Sequence, residues 1–136
     1  MPGLALLILI TVALGFEFIN GFHDTANAIA VSIHTGALSA GRAVALAAVM
    51  NLLGAFASEN VARTISEELI SAAIDEYTII AALIAAIIWN LFTWYLGMPA
   101  SSSHALIGAL IGASVVFTGS MDAVLWKNLV LKVVLP

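Results

Sequence analysis

Two apolar stretches enclose a polar one. Leu4 to Ile19 is apolar except for Glu17. Asn20, His23, Asp24, Thr25 and Asn27 then follow within eight residues, and apolar sequence resumes from Ala28 to Ile33. A chain of this kind sets ionisable and amide groups at the depth of a bilayer. A charge there costs roughly 2.5–3.5 kcal/mol on insertion scales, so such groups face a cavity or one another. The polar stretch is therefore a candidate site rather than a loop between two helices.

Composition supports a lipid solvent. Of 136 residues, 62% are hydrophobic and 9% charged, against about 25% charged in a soluble domain. The mean hydropathy is +1.12. The formal net charge of -4, with no basic stripe, argues against a nucleic-acid partner. Cysteine is absent, which excludes disulfides and thiolate chemistry. No basic segment precedes the first apolar run and no clean cleavage site follows it. The run reads as a retained membrane helix.

The chain is read as a single all-α membrane domain, 1–136, with about four or five spans of roughly 20 residues. Leu4–Ile19 is the first, with Pro2 suited to its opening turn. Asn20-Gly21 predicts a break, because both residues favour turns. Asp24 or Thr25 would cap a second short helix to about His34, stopped by Gly36. Ser39 caps a helix over about 42–58, in which Asn51 is the lone amide. Asn51 either makes an interhelical hydrogen bond or takes a place on a substrate path. The segment 59–77, with six charged side chains, reads as an exposed connection. Ile79–Leu96 is the clearest span. Trp89, Trp94 and Tyr95 lie toward its end as an interfacial belt, Asn90 lies within it, and Gly97-Met98-Pro99 ends it. Ser101, Ser102, Ser103 and His104 then open an apolar run, 105–117, short enough for a broken or re-entrant helix. Gly108 and Gly112 give that run a small-residue face for close packing. A further helix starts near Met121. Arg42, Lys127 and Lys132 mark the cytoplasmic side, with 59–77 outside.

Two interrupted helices thus begin near Asp24 and near Ser101. A helix N-terminus carries about half a positive charge and unpaired N–H donors, which suit an anion. Asp24 would repel that anion unless a cation neutralised it. The pattern fits co-transport at discontinuous helices.

Gly21-Phe22-His23-Asp24-Thr25-Ala26-Asn27-Ala28 resembles one signature of the inorganic phosphate transporter (PiT) family. Trp89-Asn90-Leu91, with Pro99-Ala100-Ser101-Ser102-Ser103-His104-Ala105, resembles the second, in its prokaryotic form. The resemblance runs from about residue 5 to the end. It implies secondary transport of inorganic phosphate coupled to Na⁺ or H⁺ in the plasma membrane, with no cofactor and no enzymatic step. The fold it implies is one half of an inverted-repeat transporter. By position it implies phosphate or cation ligands at Asp24, Thr25, Asn27, Ser101, Ser102, Ser103 and His104. Asn51 and Asn90 are further candidates, and Na⁺ is placed at Asp24 and Asn27. Asn51 stands where some members carry a glutamate. Members are about three times longer, so a second repeat or a second copy is expected to complete the site.

Three rivals remain on the residues alone. An intramembrane serine hydrolase could draw on Asp24, His104 and the serines, but it lacks a nucleophile elbow. A metal site at His23, Asp24, His34 and His104 lacks a short-range ligand pattern. A membrane fragment or assembly subunit without transport of its own is the third.

Overall fold

The computed structural model describes residues 2–57 and 74–135, and they are helical almost throughout. Helix α1 spans Pro2–His34, α2 Ala40–Ala57, α3 Glu76–Tyr95 and α4 Ser102–Thr118. A 3₁₀ turn, Met121–Ala123, leads to a short helix, α5, Trp126–Leu129, which widens into a π turn over Val130–Val134. By length and composition α1 and α3 can cross a membrane, while α2 and α4 are shorter apolar helices. Most of the expected 59–77 connection lies outside the described residues.

The helix ends follow the sequence closely. Gly36, Gly97 and Gly119 take φ values of +74°, +64° and +68°, a left-handed turn that costs glycine little and other residues more. Ala43 N–H donates to the Ser39 carbonyl at the head of α2. Asp75 caps α3, whose first residue, Glu76, is three residues earlier than the expected start at Ile79. Its Oδ1 accepts from the Thr78 backbone at 2.8 Å and from the Thr78 hydroxyl at 2.5 Å.

The expected break at Asn20-Gly21 is not there. Helix α1 is continuous for 33 residues, about 50 Å at 1.5 Å per residue, and Gly21 has no left-handed φ. Turn preference at two residues is worth about 1 kcal/mol. A break would release backbone groups that an apolar surrounding leaves unpaired, at several kcal/mol each. The second helix start, and the anion site assigned to it, are therefore absent near Asp24. The single helix expected from Met121 is also divided. Ser120 caps the 3₁₀ turn, and Leu125 leaves helical geometry with φ -81° and ψ 74°.

Helices α1, α3 and α4 pack together. Phe16, Leu83 and Ala86 form their buried centre, flanked by Leu9, Val12, Ile79, Leu106 and Ala109. Phe16 meets Leu83 and Ala86, while His23 meets Thr93, so α1 and α3 run in the same direction. Ser102 reaches Asp24 and Ala109 reaches the Phe16 level, so α4 runs against them. Helix α2 lies beside α1 and is largely exposed, with Ala43 buried. The small-residue face of α4 is not closely packed among the described residues. A Cβ at Gly108 or Gly112 would meet nothing within 4 Å, because both glycines border open clefts beside α3. Large apolar side chains face outward, among them Phe18, Phe56 and Val116. Lipid rather than water suits such a surface.

Candidate functional site

Helix α4 begins beside the middle of α1. Proline at 99 and the left-handed Gly97 keep the chain out of helix until Ser101, which adopts extended geometry as N-cap. The Ser101 hydroxyl oxygen accepts from the His104 backbone at 3.3 Å and lies 2.9 Å from His104 Nδ1. Capping aims Ser102 inward, where it is buried. Its hydroxyl donates to Asp24 Oδ2 at 2.6 Å. This contact joins the two polar motifs across 78 residues of sequence.

Asp24 is held from a second direction. His23 Nδ1 lies 3.2 Å from Asp24 Oδ1, and His23 Nε2 lies 3.5 Å from the Thr93 hydroxyl. The Thr93 hydroxyl also meets the carbonyls of Trp89 and Asn90 at 3.0 and 3.1 Å. His23 and Thr93 are buried, whereas the Asp24 side chain is half exposed. From α2, Asn51 Nδ2 donates to the Thr25 hydroxyl at 3.3 Å, the interhelical amide bond expected of it.

Two clefts flank this centre. One, of about 720 Å³, lies between α1 and α2. It presents Glu17, Asn20, Asp24, Thr25 and Asn51, with no basic residue on its lining. Two carboxylates and several neutral oxygens make a surface for cations. The other, of about 490 Å³, lies between α3 and α4 and is lined by Trp89, Ser101, His104, Ala105 and Gly108 among others. It offers a hydroxyl, an imidazole and the head of α4, groups suited to an anion.

The structure joins Asp24 to Ser102, with Thr25 and Asn51 paired on the first cleft and Ser101 and His104 paired on the second. Asn27 and Ser103 are exposed and join none of these contacts among the described residues. Asn90 is fully buried, and neither atom of its amide finds a partner among the described residues. The hydrolase arrangement is not assembled: His104 touches Ser101, whereas Asp24 touches Ser102 and His23. Sequence reasoning placed His23 in the polar stretch but not among the ligands, and left Thr93 out altogether. The signal for them was positional, since His23 precedes Asp24 and Thr93 lies one helical turn after Asn90.

Comparison with known proteins follows the same residues. The model of the phosphate transporter family matches residues 20–136. A probable low-affinity inorganic phosphate transporter of Mycobacterium tuberculosis is 52% identical over 132 residues, covering 96% of this chain and 31% of that protein. One of Bacillus subtilis is 54% identical over 124 residues, covering 85% of this chain and 36% of that protein. A low-affinity inorganic phosphate transporter of Escherichia coli is 48% identical over 118 residues, covering 81% and 24%. The chain spans about a quarter to a third of the length of these curated relatives. No solved structure matches it. With both polar motifs inside the matched region, the chain belongs to the phosphate transporter family.

Proposed function

We propose that this chain forms part of a plasma-membrane carrier that moves inorganic phosphate together with Na⁺ or H⁺. The hydrogen bond from Ser102 to Asp24, 2.6 Å long, carries the reading. It couples the head of α4, where an oxyanion is favoured, to a carboxylate on the cation-attracting cleft. The Ser101, Ser102 and Ser103 hydroxyls and His104 serve phosphate; Asp24, with Thr25 and Asn27, serves the cation. An uncompensated carboxylate 4 Å from a single negative charge costs about 4 kcal/mol at an effective dielectric constant of 20. A cation at Asp24 removes that repulsion, so each ion favours the other. A second repeat or a second copy of the chain completes the enclosure, in keeping with the greater length of the relatives.

Equilibrium binding tests this. The phosphate dissociation constant should fall as Na⁺ is raised or pH lowered, and the cation constant should fall by the same factor with phosphate. Asp24→Asn should remove that mutual dependence. Phosphate binding indifferent to both cations, or a dependence left intact in Asp24→Asn, would overturn the proposal.

A further inference from the structure

We propose that His23 is a positioning residue: buried against Thr93, its ring holds the Asp24 carboxylate in the one orientation that meets Ser102. The inference rests on the transport reading above and assigns a role to a side chain outside the expected ligand set.

The Asp24 side chain is 50% exposed, whereas that of His23 is 3% exposed. A half-exposed carboxylate on a helix exchanges among rotamers unless something fixes it. Two contacts do so here, and each takes a different oxygen. Oδ1 faces His23 Nδ1 at 3.2 Å and Oδ2 accepts from Ser102 at 2.6 Å. Ser102 sits at the start of α4 and must move with it. His23 belongs to the same helix as Asp24, so its grip on Oδ1 persists when α4 shifts.

Tautomer follows from the partners. An ionised carboxylate only accepts, so Nδ1 carries the ring hydrogen toward Asp24 and Nε2 is left as an acceptor. The Thr93 hydroxyl gives its hydrogen to the carbonyls of Trp89 and Asn90 at 3.0 and 3.1 Å, and its oxygen packs 3.5 Å from Nε2 behind the ring. His23 and Ser102 therefore meet the two oxygens of one carboxylate from different sides. Such orientation by an outer partner is the usual way a ligand is preorganised. Phe22 closes the same seam from the adjacent position, its ring edge-on to Trp94 at 5.7 Å.

Two substitutions separate positioning from packing. In His23→Asn the amide nitrogen sits near the place of Nδ1 and can still donate to Asp24. In His23→Gln it sits near the place of Nε2 and reaches Thr93 instead. Cation and phosphate half-saturation are measured in proteoliposomes, with thermal stability alongside. His23→Asn should stay near the parent value. His23→Gln should raise the cation half-saturation by about tenfold, the effect of one lost charge-assisted hydrogen bond, at similar melting temperature. In an Asp24→Asn background the two variants should be equal. Equal behaviour in the parent background, or a ranking that merely follows thermal stability, would overturn the inference. Parent protein that neither binds nor moves phosphate would sink the transport reading alone. The Asp24 carboxylate infrared bands, shifted by His23→Gln and kept by His23→Asn, still decide on His23 in that case.

Discussion

Ser102 is buried at a helix start, and its hydroxyl points at a carboxylate that is half exposed. Ser102→Ala removes one donor without disturbing the Ser101 cap, which uses a different hydroxyl. It should weaken phosphate binding by about 1–3 kcal/mol, the scale of one lost hydrogen bond to a charged group. Titration calorimetry reads the change, and an unchanged affinity would show that the Ser102 hydroxyl plays no part in phosphate binding. Asn90 presents the opposite case. Its amide is buried with no partner among the described residues, so it contributes a desolvation cost with no bond in return. Asn90→Leu should raise the melting temperature while leaving phosphate affinity in place, since Asn90 stands outside the Asp24–Ser102 contact. The amides were visible in sequence as lone polar residues in apolar frames. Only packing could show that Asn51 finds Thr25 while Asn90 finds nothing.

At the level of elements, α3 depends on a charged cap. Two hydrogen bonds, from the Thr78 hydroxyl and then its backbone N–H, hold the Asp75 carboxyl below its ordinary value. A carboxyl whose pKa is depressed on folding adds stability above its unfolded value, and that stability is lost as pH falls through the folded value. Acidification into and below the ordinary carboxylate range should therefore fray the first turn of α3. Asp75→Ala should already be frayed at neutral pH, whereas Asp75→Asn should keep the cap and lose the pH response. Amide hydrogen exchange at Thr78 and Ile79 measures both. Helix stops were legible for a physical reason: Gly36, Gly97 and Gly119 each occupy a left-handed turn that few other residues accept. Gly21 sits beside an asparagine and suggested the same, yet it lies inside α1. Local preference is a weak prior, and the requirement to keep backbone groups paired in an apolar medium outweighs it. The early start of α3 was missed because Asp75 and Glu76 looked like connection, though Asp-x-x-Thr can cap a helix.

For the molecule as a whole, the surface is the informative quantity. Phe18, Phe56, Trp89, Trp94 and Val116 are exposed, an arrangement that water would not support. In bilayers, Trp94 should be quenched most strongly by bromine placed near the lipid headgroups, as a belt position requires. Quenching that peaks at the bilayer centre would displace the end of α3 from the interface. The family and the pairing of its two polar motifs were legible from sequence, because both motifs are short and contiguous. Their convergence was expected as well, but the particular pair, Asp24 with Ser102, was not, since it is set by helices whose register depends on Phe16, Leu83 and Ala86.

The unbroken course of α1 has a mechanical consequence. A rod without a joint transmits a push at either tip to the carboxylate at its middle. The slack must be taken up elsewhere, and the non-helical run between α3 and α4 is the nearest backbone free of helix bonding. If the Ser102–Asp24 contact opens, the displacement falls to α4 on that tether, with the carboxylate held still in α1.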